Sequence, residues 1–261
     1  MVTKKKILII GCSNGLGLHH VFRDVFKKNK TLNFKIDQHA EGSSGLDQYD
    51  EIASDDKCIF YNCSYGGAGN AYISNRCIEF VLDNPVDYVY LQFSGLNRID
   101  LPLANDEMNV DHGFRSRLSK NHEWLASGGY TGSWLRHPFS ERLFSYFYST
   151  NSDTPSYFFN ILEIFKCVSF LRDKHINFNW TSYYDYCSPP SINCYKDGMI
   201  KENHLRSLYD TIDKNNFIMP PLNYILSNGL KTEQDQIHYP YESTIQWITN
   251  FKKQFNFPDI G

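Results

Sequence analysis

The handover from strand to helix near the start of the chain limits the fold more than any other feature. Lys4-Lys5-Lys6 leads into Ile7-Leu8-Ile9-Ile10, and the apolar run stops at Gly11-Cys12-Ser13-Asn14-Gly15-Leu16-Gly17. A short continuous apolar run bounded by glycine reads as a buried strand of a parallel sheet. The glycines allow a tight turn. Residues 16–29 then read as a helix with Val21, Phe22, Val25 and Phe26 on one face. This arrangement presents Ser13 at the carboxyl edge of the sheet, where open α/β sheets bind ligands. It also sets the hydroxyl near a helix N-terminus, where negative charge is favoured.

The same alternation continues. Residues 32–37 read as a short strand and residues 40–56, polar and glycine-bearing, as a loop. Residues 58–63 (CIFYNC) read as a strand that runs into a glycine loop, Ser64-Tyr65-Gly66-Gly67-Ala68-Gly69-Asn70. A helix over 71–82 and a strand over 86–93 follow, the strand ending at Ser94-Gly95-Leu96-Asn97-Arg98. Strand, loop, helix and strand in that order imply βαβ units and a parallel sheet. Residues 101–137 break the pattern and read as an insertion or lid. Helices are expected over 138–148 and 155–171, a strand over 176–183, irregular chain over 188–228, and a final helix over 241–255. That last helix carries Thr244, Ile248, Phe251 and Phe255 on one stripe. The expectation is one domain over 1–261, a three-layer α/β/α sandwich around a parallel flavodoxin-like sheet.

The chain has 261 residues, 41% of them hydrophobic and 16% aromatic, enough for a sizeable core. A net charge of −3 gives no general reason to expect nucleic acid as a partner. No apolar run approaches the ~20 residues of a bilayer span, so no membrane partner is expected. The basic start resembles a signal peptide only briefly, because an h-region needs about 7–15 apolar residues. The expectation is a protein not secreted by that route. Seven cysteines at irregular spacings form no Cys-x-x-Cys pair, which argues against a zinc ribbon and for buried thiols in a reducing compartment. His19-His20 is the one adjacent histidine pair and points two ways on a helix. No metal and no cofactor are expected.

Two families share features with the first turn. Gly11-x-x-x-Gly15-x-Gly17 resembles the glycine pattern of short-chain dehydrogenases, with Asp37 about where a ribose-binding acid belongs. That resemblance implies an NAD(P)-dependent protein. However, no tyrosine here has a lysine four residues later, so the proton-transfer pair of that family is missing.

The second resemblance covers more of the chain. Gly11-Cys12-Ser13-Asn14, Gly67-Ala68-Gly69-Asn70, Gly95-Leu96-Asn97-Arg98 and Asp235-Gln236-Ile237-His238 occur in the order of the blocks of the SGNH (GDSL-type) hydrolase superfamily. The resemblance implies the SGNH hydrolase fold and a serine esterase acting on a small ester or an acylated carbohydrate. In that scheme Ser13 is the nucleophile, His238 its base and Asp235 the residue that orients the imidazole. The Ser13 and Gly69 backbone amides and the Asn97 side chain would form the oxyanion hole. Gly67 is the nearest substitute for Gly69, and Gly42-Ser43-Ser44-Gly45 is a rival loop.

Each block alone has a plainer explanation: Ser13 as a helix N-cap, Asn97 as a turn cap, Gly69 as a turn residue. The ordered set favours the hydrolase. Cys12 stands where that family carries an aspartate, and Arg98 where it carries another. Arg98 would pair with Asp100 or reach a negatively charged substrate group. Trp124, Tyr130 and Trp134 would offer an aromatic sugar platform or ordinary lid packing. These departures leave a third expectation, an inactive SGNH-like structural or binding subunit. The stretch from Gly66 to Pro102 resembles SGNH-like proteins of bacteriophages, which implies a virion location and assembly with virion proteins as the alternative to a cytoplasmic one.

Overall fold

The structure is a computed structural model; it describes residues 4–12, 18–26, 35–38, 51–54, 57–64, 67–104, 117–118, 122–126, 153–188, 199–232 and 238–258. The main sheet has the order β2-β3-β4-β1-β5-β9. Its strands are β1 (Lys5–Gly11), β2 (Lys35–Gln38), β3 (Glu51–Ser54), β4 (Cys58–Asn62), β5 (Tyr88–Phe93) and β9 (Asn177–Ser182). The block β4-β1-β5-β9 is parallel throughout, with Ile9 opposite Asn62, Gly11 opposite Gln92, and Leu91 opposite Trp180. Counting only these four in chain order gives 2-1-3-4, the doubly wound flavodoxin-like pattern. β3 adds antiparallel to β4, and β2 antiparallel to β3. A second, three-stranded antiparallel sheet, β6-β8-β7, is made by β6 (Asp100–Ala104), β7 (Arg117–Leu118) and β8 (His122–Ala126).

Helices cover both faces, as a parallel sheet requires. The pleat sends alternate residues to opposite sides. Ile7, Ile9, Tyr88 and Tyr90 meet α1 (Leu18–Phe26) and α6 (Tyr241–Phe251) through Phe22, Trp247 and Ile248. Leu8, Ile10, Val89 and Leu91 meet α2 (Asn70–Asp83) and α3 (Asp153–Asp173) through Ile73, Cys77, Ile161 and Val168. These β1 and β5 side chains are fully buried, which is why their sequences are continuously apolar rather than alternating. After α6 and a 3₁₀ turn over Lys252–Gln254, Phe257 returns under α1 and stacks on Phe26 with ring centroids 4.3 Å apart. At the amino edge, the Lys6 N–H donates to the Asp87 carboxylate at 2.8 Å and the Asp87 N–H donates to the Lys6 carbonyl at 2.8 Å, which fixes the β1–β5 register.

Three expectations change. The loop expected over 40–56 contains β3, whose sequence Glu-Ile-Ala-Ser is too short and mixed to show a period. The chain expected to be irregular over 188–228 contains α4 (Asn203–Asp210) and α5 (Pro221–Ser227). α4 buries only Leu205 and Tyr209, and α5 opens on a proline at its first position, so neither displays a full amphipathic stripe. The final helix stops at Phe251, and its buried face includes Trp247. The helix expected over 138–148 lies outside the described residues. Cys12, Cys58, Cys63, Cys77 and Cys167 are buried, as expected for apolar thiols.

Leu91 is 0% exposed and Leu82 62% exposed. Leu91→Ala should therefore lower unfolding stability by about 2–5 kcal/mol, while Leu82→Ala should stay within about 0.5 kcal/mol, as read by urea denaturation.

Candidate active site

Three of the four parallel strands, β4, β5 and β9, carry buried polar side chains at or just past their carboxyl ends. Asn62 and Ser64 close β4, Gln92 and Ser94 close β5, and Thr181 and Ser182 close β9, and all six are buried. Burying polar side chains costs free energy unless they are bonded. Much of this set is bonded. The Asn62 Oδ1 accepts the Ser64 N–H at 3.1 Å. The Asn70 side chain, at the start of α2, accepts the Ser94 N–H at 2.7 Å and donates to the Ser94 carbonyl at 3.4 Å. The Tyr186 hydroxyl also donates to that carbonyl. By contrast, Ser64 Oγ, Ser94 Oγ, Gln92 Oε1 and Tyr90 Oη are buried with no hydrogen-bond partner among the described residues. Their hydrogen-bonding capacity marks this edge as the polar end of an otherwise apolar sheet.

Gln92 ties the two ends of the chain together here. It lies opposite Gly11, and a Cβ on Gly11 would stand 2.9 Å from the Gln92 Cβ and 3.0 Å from its carbonyl oxygen. Only glycine fits, because backbone atoms cannot yield. From this position Gln92 Nε2 donates to the Tyr239 hydroxyl at 2.6 Å. Tyr239 follows His238, and Gly11 precedes Ser13 by two residues. The segment carrying His238 is therefore anchored on the strand pair whose carboxyl end lies just before Ser13 in the sequence. His238 itself is half-buried.

The loop after β5 forms a tight turn, closed by the Arg98 N–H on the Gly95 carbonyl at 3.4 Å. The Asn97 side chain folds back over Gly95, where a Cβ would meet its Oδ1 at 2.9 Å. Asn160, on α3 and buried, holds its Nδ2 2.8 Å from the Leu96 carbonyl and 2.8 Å from the Arg98 carbonyl. Ser156 Oγ donates to the same Leu96 carbonyl at 3.0 Å. The Arg98 guanidinium donates to the Ala68 carbonyl at 2.9 Å, linking this turn to the Gly67–Gly69 loop.

Asp100 completes the link. Its carboxylate accepts the Gly69 N–H at 3.0 Å and the Tyr72 N–H at 2.9 Å, so it caps α2 from a distant strand. Gly69 has no room for a side chain: a Cβ would lie 2.7 Å from Asp100 Oδ2. Burial pushes the Asp100 carboxyl up from an ordinary 3.8 to about 6; the two N–H bonds and the Arg98 charge pull the other way, and Glu163 adds to the rise. A cavity of about 350 Å³ opens beside Asp100, lined also by Ala71, Arg98, Pro155 and Phe159.

Of the expected site residues, Gly69, Asn97 and Arg98 belong to this connected pair of loops, and His238 to the Tyr239 anchor. Ser13, Asp235, Tyr130 and Trp134 lie outside the described residues, as does the Trp124 side chain, although its backbone pairs with Pro102 in the small sheet. The Gly69 N–H, expected to face an oxyanion, is held by Asp100. Arg98 does not simply pair with Asp100: it bonds the Ala68 carbonyl and lowers the Asp100 carboxyl through its charge. Gln92, Tyr239 and Asn160 were not singled out by the sequence, and Asp100 was expected only as a partner of Arg98. Tyr239 sits next to His238 and Asp100 two residues after Arg98, but their hydrogen-bond partners are 28 to 147 residues away.

The dinucleotide alternative meets an obstacle in the sheet order. A ribose-binding acid belongs at the end of the strand beside β1. That strand is β4, which ends in Asn62. Asp37 lies in β2, three strands from β1, and in register with Ile52, Tyr61 and Leu8, short of the carboxyl edge. Among the described residues no group of three or more His, Cys, Asp or Glu could hold a metal, and no helix is long and apolar enough to cross a membrane.

No family model and no curated protein matches the chain. Among solved structures it is similar to Axe2, an acetylxylan esterase from Geobacillus stearothermophilus, at 10% identity over 100% of this chain and 98% of that one, with a TM-score of 0.46. A mutant of the same enzyme gives 0.49 at the same identity and coverage. Helicobacter pylori MTAN gives 0.29 at 10% identity over 96% of this chain and 98% of that one. The order of the four parallel strands is the flavodoxin-like one expected for this chain.

Since the folded-state value of Asp100 lies above the ordinary one, its contribution to stability is full below about pH 3.8 and is lost as the pH rises through about 6. Asp100→Asn lacks this titration. The stability of the parent minus that of the variant should fall by about 2 kcal/mol between pH 4 and 7 in urea unfolding. A constant gap would contradict the shifted carboxyl.

Proposed function

We propose that this chain is an SGNH-type serine esterase that removes an O-acyl group, with an acylated carbohydrate as the substrate class. Ser13 Oγ attacks the ester carbonyl while His238 takes its proton, and Asp235 holds the other imidazole nitrogen. Collapse of the tetrahedral intermediate breaks the bond to the alcohol oxygen, which receives that proton from His238. Water, deprotonated by the same imidazole, then attacks the acyl-enzyme, releasing the carboxylic acid and restoring Ser13. The oxyanion is met by the Ser13 backbone N–H and the Asn97 side-chain amide. Gly69 would be the third donor only if Asp100 released its N–H, so Gly67, at φ 85°, is the nearer alternative. The cavity beside Arg98 would take the part of the substrate next to Asn97.

The observation that carries the proposal is the Gln92–Tyr239 hydrogen bond, which supports a meeting of the His238 segment with the serine turn. The turn over 95–98, with the Asn97 amide folded onto Gly95, supports the role of Asn97. A second reading is favoured by two details. Cys12, in place of an acid, is buried, and Asp100 occupies the Gly69 N–H. Both suit a hydrolase-like fold kept as a structural or binding subunit, including one assembled into a virion.

Initial rates on p-nitrophenyl acetate and on a peracetylated sugar separate the two. The esterase reading expects hydrolysis by the wild type and a fall in kcat/KM of about 10³-fold or more in Ser13→Ala and His238→Ala. Equal rates for the wild type and Ser13→Ala would reject it.

A further inference from the structure

We propose that the cavity beside Arg98 is a binding site for a carboxylate carried on a sugar ring, with the guanidinium taking the carboxylate and the Phe159 ring taking an apolar face of the sugar. As a substrate class, an acylated acidic carbohydrate, it rests on the esterase reading above; as a binding site it does not.

The cavity, about 350 Å³, falls in the size range of small-molecule sites. Ala71, Pro155 and Phe159 give it apolar walls, and its charged lining is Arg98, Asp100 and Glu163. Both acids already have partners. The Asp100 oxygens accept the Gly69 and Tyr72 N–H groups, and Glu163 forms an ion pair with Lys166 on the same helix. Arg98 differs. It is half-buried, and its Nη1 donates to a neutral acceptor, the Ala68 carbonyl, at 2.9 Å. Among the described residues its Nε and Nη2 donors meet no acceptor, and it makes no ion pair. It acts on the Asp100 carboxyl through its charge, without a bond. The guanidinium is therefore the charge on this wall that lacks a direct partner, and the cavity favours an anion over a cation. A carboxylate fits best, because it accepts two guanidinium N–H groups in parallel. A latch on the Ala68 carbonyl alone would need neither the charge nor the remaining donors. The rest of the ligand follows from Phe159. Its ring is 65% exposed, too open for core packing, and its one ring contact among the described residues is with Phe158. Such a ring offers a flat apolar face that the C–H side of a sugar can cover. Arg98 directly follows Asn97, so a sugar held by its carboxylate sits beside the turn over 95–98.

The test titrates the full chain with the methyl glycoside of glucuronic acid, the methyl glycoside of glucose, and acetate, and reads binding by calorimetry. The proposal expects the glucuronoside to bind about ten-fold or more tightly than the glucoside, the gain that bonds to a charged group supply. It expects acetate, which has the charge but no ring, to bind more weakly than the glucuronoside. Arg98→Gln should bring the glucuronoside down to the affinity of the glucoside, and Phe159→Ala should weaken the glucuronoside and leave acetate unchanged. Equal affinities for the charged and the neutral sugar overturn the proposal, as does an unchanged glucuronoside affinity in folded Arg98→Gln. Acetate binding as tightly as the glucuronoside also overturns it, since the site would then take a bare anion. If Arg98→Gln does not fold, an unchanged glucuronoside affinity in Phe159→Ala, a change at an exposed position, overturns it. A glucuronoside bound through Arg98 by a protein no more active on p-nitrophenyl acetate than Ser13→Ala would leave the site standing and remove the esterase reading. Ester hydrolysis lost in Ser13→Ala, with equal affinity for both sugars, would do the reverse.

Discussion

One hydrogen bond between residues 147 positions apart, Gln92 to Tyr239, joins the carboxyl end of β5 to the segment that carries His238. It depends on Gly11, since any side chain there would collide with Gln92. It depends equally on α6, which anchors the last segment against α1: the Tyr241 hydroxyl meets the Asp24 carboxylate, and Lys252 Nζ donates to the Val25 carbonyl at 2.5 Å. The anchor is buried at Gln92, so breaking it would leave a polar group without its partner, a cost of about 1–3 kcal/mol that keeps the segment in place.

A second set of bonds joins the loops beyond β4 and β5. Asn70 binds Ser94, Arg98 binds the Ala68 carbonyl, Asp100 accepts the Gly69 N–H, and Asn160 grips the turn around Asn97. The loops thereby become a rigid rim on a rigid sheet, which suits a binding edge. Asp100 trades one use of α2 for another. Its carboxyl oxygens accept the Gly69 and Tyr72 N–H groups at the helix start, and so remove from that start an N–H that a hydrolase would aim at substrate.

The parallel core was legible in the sequence because Ile7 to Ile10 and residues 88–93 are buried on both faces and cannot hide their apolar runs. The Gly95–Arg98 turn was legible because a glycine and an asparagine follow a strand. β3, α4 and α5 were not, because each is too short to express a period. The partners of Gln92, Asp100 and Asn160 were invisible for a different reason. Each is fixed by strand order and helix placement, and nothing in the local composition encodes contacts 31, 64 or 147 residues away.

Covalent labelling by a fluorophosphonate, located by peptide mass spectrometry, tests the central claim most directly, since it reports an activated hydroxyl without assuming a substrate. The account predicts one adduct, on Ser13, formed by the wild type and strongly slowed in a folded His238→Ala variant. A Ser13 adduct forming equally fast without the imidazole, or an adduct at another residue, would contradict it.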